Sequence, residues 1–260
     1  MSTANHKFKQ DCQRDVQEMA SDAALREATI AWMSRANSYK YSYHFEFLGR
    51  PLIQYPQDVV AVQELVWRIK PDLIIETGIA HGGSLIASAS WLAMLEYCDA
   101  VQTGSLLDPK SPERFVLGVD IDIRRHNREA IEAHPMSSRI KMIEGSSTSP
   151  EVLDEVREFA SGFENVMVLL DSNHTHDHVI CELREYSAFV TVGSYCVVFD
   201  TIIEDLPVNS FDDRPWDVGD NPKTAVREFL SGDQRFRIDA DIDSKLQISV
   251  APEGYLFRVD

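Results

Sequence analysis

Short, continuous apolar runs alternate with longer amphipathic segments over most of the chain. Four of these runs are LII (73–75), FVLGV (115–119), VMVLL (166–170) and YCVVF (195–199). Strands that are apolar at consecutive positions are typical of a parallel sheet covered on both faces. The amphipathic segments between them, among them RRHNREAIEAH (124–134), predict the covering helices. The pattern therefore predicts an α/β fold.

The two ends of the chain follow other patterns. Residues 11–35 predict one or two helices, residues 37–59 are aromatic-rich and predict a loop, and Asp58 is expected to cap the helix that follows. Residues 236–242 and 246–260 predict two strands with a tight turn at APEG and no helix between them. We expect an N-terminal extension over residues 1–57, a domain over residues 58–260, and a mostly parallel seven-stranded sheet with an antiparallel C-terminal hairpin.

Charge and composition narrow the classes of partner. The formal net charge is −17 at pH 7 and the basic residues do not cluster, so nucleic acid is not an expected partner. No apolar run approaches the roughly 18 residues of a membrane span, and the first residues lack the apolar core of a secretory signal. The four cysteines form no C-x-x-C pair. These features predict a cytoplasmic enzyme or binding protein without an integral membrane segment.

A glycine-rich turn, ETGIAHGGS (76–84), follows the first strand of the predicted sheet. Gly78 permits a tight turn, and Gly82 and its neighbour let the backbone approach a ligand at a helix N-terminus. The spacing is neither G-x-G-x-x-G nor a P-loop, so neither a dinucleotide nor a triphosphate is favoured. The acidic residue that precedes the turn, Glu76, fits a cationic amino-acid ligand.

Polar residues also follow the next two strands. Asp120 ends the second strand, where a carboxylate can accept hydrogen bonds from both hydroxyls of a ribose. Glu144, Ser146 and Ser147 end the third strand and could flank an adenine ring. Alone, Asp120 is equally well explained as a surface acid, and the residues after the third strand are more simply explained as a polar loop. Together, at three consecutive strand ends, they favour a ligand that carries adenosine.

Two carboxylates follow the fourth and fifth strands. Asp171 and Asp200 are placed there by the sequence, and His174 comes three residues after the first of them. Carboxylates from neighbouring strand ends make a plausible Mg²⁺ site. His174 is close enough to act as a general base on a metal-bound hydroxyl.

Two nearby features admit alternatives. His176, Asp177 and His178 could form the two-histidine, one-carboxylate site of a non-haem iron oxygenase, although they are more simply a helix start. Residues 203–222 predict a lid-like loop, in which Trp216 either stacks on a sugar or anchors the loop to the core.

Five segments together are similar to the family that includes cephalosporin hydroxylases and rhamnosyl O-methyltransferases. They occur in order and cover most of residues 45–232. The resemblance implies a Rossmann-like class I methyltransferase fold, S-adenosylmethionine and Mg²⁺ as cofactors, and a sugar hydroxyl as the methyl acceptor. The segments are FLGRPLIQYPQDV, PDLIIETGIAHGGS, GVDIDIR, LLDSNHTHDHVICELREYSAFVTVGSYCVVFDT and NPKTAVREFL.

The resemblance also implies roles for individual residues. Its cofactor loop corresponds to Glu76, Gly78, Gly82 and Ser84, and its ribose-binding acid corresponds to Asp120. Its metal carboxylates correspond to Asp171 and Asp200, and its general base to His174.

The chain departs from the family's pattern at one position. Sugar-methylating members carry a second acid immediately before the last metal carboxylate, and this chain has Phe199 there. Either a water, Glu204 or Asp205 completes the coordination shell, or metal binding is weaker. We name Glu204 as the expected third carboxylate ligand.

The sequence thus predicts an S-adenosylmethionine-dependent O-methyltransferase. Its expected acceptor is a sugar hydroxyl of a glycosylated natural product, glycolipid or polysaccharide, and a homo-oligomer is the expected assembly. Two alternatives stay open: an oxygenase of the hydroxylase type, and a non-catalytic module that binds S-adenosylmethionine. Phe199 favours the second, because an incomplete metal site is what a retired enzyme would show.

Overall fold

Two helices, a 3₁₀ turn and a small hairpin form the N-terminal part of the chain. The computed structural model describes residues 3–211 and 213–260, so residues 1 and 2 of the predicted extension and position 212 of the predicted loop lie outside the described residues. Asp22 caps the second helix by accepting a hydrogen bond from the backbone N–H of Leu25 at 3.0 Å. The elements are α1 (Thr3–Ser21), α2 (Ala23–Asn37), a 3₁₀ turn (Tyr41–His44), β1 (Phe45–Phe47) and β2 (Arg50–Leu52).

A seven-stranded sheet forms the centre of the molecule. Its strand order is β5-β4-β3-β6-β7-β9-β8; the first five strands are parallel, and β9 runs antiparallel to both of its neighbours. The mostly parallel sheet with an antiparallel C-terminal edge is confirmed. The strands are β3 (Leu73–Thr77), β4 (Phe115–Asp120), β5 (Ile140–Glu144), β6 (Val166–Leu170), β7 (Tyr195–Val198), β8 (Phe236–Ile238) and β9 (Tyr255–Arg258).

Helices cover both faces of this sheet. Alternate strand residues point to opposite sides, so Ile74 and Leu169 belong to one apolar core and Ile75 and Val168 to the other. The first core is completed by α3, α4, α5 and α9, and the second by α6, α7 and α8. The helices are α3 (Pro56–Ile69), α4 (Gly83–Thr103), α5 (Arg125–Glu132), α6 (Pro150–Ala160), α7 (His176–Tyr186), α8 (Pro222–Gly232) and α9 (Ala240–Leu246).

Two predicted irregular or extended stretches have more structure than expected. The prediction of a loop over residues 37–59 is wrong in part, because β1 and β2 pair through a turn in which Leu48 and Gly49 both have positive φ (46° and 81°). The prediction of no helix between the last two strands is also wrong, because α9 lies there. Ile242 and Leu246 are one turn apart and both pack on the core, which gives α9 an apolar side.

Asp58 does not cap α3, which begins at Pro56 after Tyr55. Its buried carboxylate instead accepts hydrogen bonds from Ser249 Oγ (2.6 Å), the Val250 N–H (2.9 Å) and the Tyr255 hydroxyl (2.7 Å). Burial raises the pKa of Asp58 to about 6. Asp58 therefore links α3 to the C-terminal edge of the sheet.

None of the helices within the described residues combines the length and the apolar character needed to cross a membrane.

Candidate active site

Most of the predicted site residues follow strands that meet at the point where the strand order reverses. The chain passes from β3 outward to β4 and β5, then returns to place β6 on the other side of β3. In register, Thr77 pairs with Val119 and with Leu170. The residues that follow these strands therefore share one edge of the sheet, where ligands of open α/β folds bind.

Two glycines shape the turn after β3. Gly78 has φ of +88°, and a Cβ at this position would collide with the backbone carbonyl oxygen of Asp171. Gly82 has φ of +82°, precedes the first residue of α4, and would collide with Ile131 if it carried a Cβ. Both positions therefore require glycine, and the first one brings the turn against the strand end that carries Asp171.

Glu76 lies beneath this turn and is buried. Its Oε1 accepts a hydrogen bond from the hydroxyl of Ser84, and its Oε2 is buried without a partner among the described residues. Burial raises the pKa of Glu76 to about 8. A buried acceptor without a donor is costly, so the position suits a ligand that brings N–H groups and positive charge.

Asp120 holds the same turn through its carboxylate. Its Oδ2 accepts from the backbone N–H groups of Ile79 (2.7 Å) and Ala80 (3.1 Å), and its Oδ1 accepts from that of Asp122 (3.1 Å). The predicted ribose-binding acid thus also orders the turn. Ser146 is half-buried and its hydroxyl lies 3.1 Å from that of Thr148, at the end of the neighbouring β5.

Asp171, His174 and Asp200 form a compact group at this edge. Each offers an atom suited to a metal, and these atoms all lie within 4.8 Å of one another. The pKa of Asp171 is raised well above its ordinary value, first by burial and then by the negative charges of Asp200 and Glu76. A divalent cation between the two carboxylates would relieve this repulsion, so the group fits Mg²⁺.

The backbone turns sharply to bring Asp200 into this group. Asp200 has φ of +56°, a left-handed conformation that Asp tolerates better than most residues. The residue before it, Phe199, is only 5% exposed and packs in the core. It also lines a small cavity with Glu76 and Asp171. The position at which the resemblance predicts an acid is therefore apolar and lines the same cavity as Glu76 and Asp171.

The expected third carboxylate is engaged elsewhere. The Oε2 of Glu204 accepts a hydrogen bond from the backbone N–H of Gly219 at 2.8 Å and another from the side-chain amide of Asn221 at 2.5 Å. Asp205 forms an ion pair with the buried Lys223 at 2.7 Å. Glu204 thus closes the loop of residues 203–222 and is not among the grouped residues.

The other two histidines of the segment make separate contacts. The ring of His176 lies 2.8 Å from the Thr224 hydroxyl and 3.1 Å from Glu228. His178 Nε2 lies within 3.3 Å of Glu182 and close to two serine hydroxyls. Within the described residues, the arrangement does not bring these histidines together as a two-histidine metal site. They connect α7 to its neighbours.

Two residues that the sequence left without a clear role reach the group. The side-chain amide of Gln54 donates a hydrogen bond to Asp171 Oδ2 at 2.9 Å. The ring of Trp216 meets the ring of His174 edge to face, with centroids 4.7 Å apart and planes at 82°. Gln54 precedes α3 and lies outside the sheet, so strand-end reasoning could not find it.

The chain matches the family described as Rhamnosyl O-methyltransferase/CmcI over residues 39–259. The protein belongs to this family. Among curated relatives, it is 25% identical to the rhamnosyl O-methyltransferase of Mycobacterium bovis over 206 residues, which are 77% of this chain and 73% of that protein. It is also 25% identical to the rhamnosyl O-methyltransferase of Mycobacterium leprae over 214 residues, 82% of each chain.

Solved structures of the Rhamnosyl O-methyltransferase/CmcI family share its fold. A structure of CmcI described as holding Mg and SAM superposes with a TM-score of 0.53 at 16% identity, covering 84% of this chain and 78% of that one. CmcI without ligands gives the same TM-score at 17% identity, covering 84% and 77%. The Rossmann-like class I methyltransferase fold is therefore confirmed.

Proposed function

We propose that the protein transfers the methyl group of S-adenosylmethionine to a hydroxyl of a sugar. The grouping of Asp171, His174 and Asp200 beside the glycine-rich turn carries this proposal, because an imidazole and two carboxylates there suit a proton acceptor and a cation site. Membership in the rhamnosyl O-methyltransferase family supports the same reaction. The acceptor class is a small molecule or a glycan, and a sugar hydroxyl is the finer proposal.

The cofactor would lie across the edge formed by β3, β4 and β5. Glu76 and Ser84 suit its amino-acid end, because the buried Oε2 of Glu76 has no donor within the described residues. Asp120 suits the ribose, and Ser146 would lie beside the adenine. S-adenosylmethionine supplies an already activated methyl group, so the protein has to orient the acceptor oxygen and remove its proton.

His174 is the base in this proposal. Its Nε2 lies 3.4 Å from Asp200 Oδ2, and its side chain is 18% exposed, so an acceptor can reach it. Asp171 and Asp200 would hold Mg²⁺, which lowers the pKa of a hydroxyl bound to it. His174 would take the proton of the acceptor hydroxyl, and S-adenosylmethionine would supply the methyl group and leave as S-adenosylhomocysteine.

Trp216 would form one wall of the acceptor site. Its contact with His174 places an aromatic surface directly beside the base, and Arg214 lies over the same ring at 5.3 Å. The loop of residues 203–222 would therefore determine which acceptors reach His174. This arrangement favours a ring-shaped, hydroxylated acceptor with an apolar face.

Calorimetric titration with S-adenosylmethionine, first without and then with Mg²⁺, tests the proposal. We expect micromolar-range binding to the wild type, and a Mg²⁺ binding heat that is lost in Asp171→Ala. Methyl transfer to rhamnose-bearing acceptors is then assayed by mass spectrometry. No binding of S-adenosylmethionine under either condition would overturn the proposal.

Phe199 favours one alternative, a module that binds S-adenosylmethionine without catalysis. It places an apolar side chain in the core at the position where the sequence resemblance predicts an acid. The two proposals differ in the transfer assay: cofactor binding with no transfer to any rhamnose-bearing acceptor at saturating Mg²⁺ supports the module.

The homo-oligomer also stays a prediction. Met94, Tyr97 and Val101 are exposed along one side of α4, which supports self-association there. Light scattering coupled to size exclusion tests it, and a monomer at high concentration would contradict it.

A further inference from the structure

We propose that Gln54 is a positioning residue for Asp171, so that a segment outside the sheet completes the cation site. The inference rests on the proposed function, because it concerns how that site holds a divalent cation. It gives Gln54 a role in orienting the carboxylate and no contact with the reacting atoms.

The first step is the geometry of the amide. Gln54 is only 7% exposed, and its Nε2 lies 2.9 Å from Asp171 Oδ2. With a cation bound, Asp171 would be ionised, and an ionised carboxylate oxygen accepts hydrogen bonds and cannot donate them. The amide nitrogen, which donates to Asp171, is therefore the atom that suits this state. One oxygen of Asp171 is thereby fixed by the protein, which leaves Oδ1 available to a cation.

The oxygen of the same amide receives no hydrogen bond from the described residues. Gln54 Oε1 is buried and has no hydrogen-bond partner within residues 3–211 and 213–260. Gln54 lines the same small cavity as Asp171 and Glu76. A buried amide oxygen without a partner, on a residue that lines this cavity, suits a donor such as a cation-bound water.

The segment that carries Gln54 is held in place by contacts with the start of α4 and the turn before it. The guanidinium of Arg50 donates to the carbonyl oxygen of His81 from Nε (3.0 Å) and Nη2 (2.6 Å), and also to Asn127 Oδ1 (3.1 Å). A Cβ at Gly83 would collide with the carbonyl of Pro51, so β2 packs directly against the start of α4. Residues 50–54 are therefore fastened to the cofactor turn at one end and to Asp171 at the other.

We expect the position of Gln54 to affect the affinity for the cation. Residues that hold a metal ligand in place typically change metal affinity about 10–100-fold when they are replaced. Because Phe199 supplies no acid to the site, Asp171 and Asp200 would have to provide the protein's carboxylates, and the orientation of Asp171 then matters more. Loss of the Gln54 amide should weaken the cation and leave cofactor binding without metal largely intact.

Gln54→Met is the direct test, since methionine matches the length of glutamine and lacks the amide. Gln57→Met is the matched control. Gln57 lies in the first turn of α3 and, like Gln54, has a buried side-chain oxygen without a partner in the described part of the chain. Gln57 is not among the described residues that line the cavity. Mn²⁺ affinity is measured by electron paramagnetic resonance, and thermal unfolding confirms that both variants fold.

We expect Gln54→Met to bind Mn²⁺ about 10–100-fold more weakly than the wild type and Gln57→Met to bind it normally. Saturating Mg²⁺ should restore most of the kcat of Gln54→Met, because only occupancy of the site is impaired. Unchanged Mn²⁺ affinity in folded Gln54→Met overturns the role of Gln54 and leaves the proposed function standing. Absence of Mn²⁺ binding by the wild type overturns both the inference and the metal-assisted part of the proposed function.

Discussion

His174 Nε2 lies 3.4 Å from Asp200 Oδ2, close enough for mutual orientation and longer than a typical hydrogen bond. The imidazole of His174 also contacts the ring of Trp216, in an edge-to-face arrangement. The imidazole is thus held between a carboxylate and an aromatic ring at the edge of the sheet. Mg²⁺ prefers oxygen ligands, so we assign the carboxylates to the cation and the imidazole to the proton.

This assignment predicts a separation of effects in His174→Ala. Turnover should fall roughly 10²–10⁴-fold, the usual contribution of a positioned general base, while Mg²⁺ affinity stays within a few-fold of the wild type. Turnover is measured by product formation and Mg²⁺ affinity by calorimetry. His176→Ala is the control, because His176 contacts Thr224 and Glu228 instead. If Mg²⁺ binding disappears with His174, the imidazole is a ligand.

Asp200→Asn should remove most Mg²⁺ binding. The substitution removes one of the two negative charges that would bind the cation, and the amide that replaces the carboxylate has the same size. Calorimetry with Mg²⁺ measures the loss directly. Glu204→Gln, on the same turn of chain, is the matched control, because Glu204 bonds to Gly219 and Asn221 and lies outside the group. Comparable losses in both variants would return Glu204 to the metal site.

Trp216→Ala should raise the acceptor KM and lower kcat together. An edge-to-face aromatic contact contributes about 0.5–1.5 kcal/mol, so loss of the His174 contact alone corresponds to about 2–10-fold in kcat. Trp216→Phe keeps an aromatic edge and should recover most of the loss. Steady-state kinetics with varied acceptor separates the two constants. Trp67→Ala, at an exposed tryptophan of α3, controls for nonspecific effects of removing an indole.

Much of the fold was predictable because it follows local rules. The continuous apolar runs at β3, β4, β6 and β7 indicate strands buried on both faces, and the carboxyl ends of parallel strands necessarily share an edge. The convergence of Asp171 and Asp200 followed from that rule alone. The short α9 was missed because a helix of this length, Ala240–Leu246, carries only two turns of periodicity.

The contacts between distant segments could not be predicted. Tertiary packing brings Gln54 to Asp171, and it brings Asp58 to Ser249 and Tyr255. No sequence motif with a fixed spacing indicates these contacts. Glu204 was expected at the metal because of its position after Asp200. Asn221, 17 residues away, accounts for its actual orientation. Such long-range pairings depend on how loops cross the sheet edge, which local patterns do not encode.

The raised pKa of Glu76 predicts a pH dependence for cofactor binding. With a pKa of about 8, the buried carboxyl is mostly protonated at pH 6–7 and ionised above pH 8. A cationic amino group is bound best by the ionised form, so the affinity for S-adenosylmethionine without metal should rise with pH between 6 and 8. The expected slope is up to about tenfold per pH unit, since binding releases one proton.

The control separates Glu76 from the titration of the ligand. The amino group of the ligand itself loses charge near pH 8, which opposes the rise, and this effect is common to every variant. Glu76→Gln should therefore bind more weakly and lose the rise between pH 6 and 8, retaining only the decline at higher pH. Calorimetry at pH 7 in buffers of different ionisation enthalpy counts the released proton directly. An affinity of the wild type that is constant from pH 6 to 8, with no proton released, would mean that Glu76 does not pair with the cofactor.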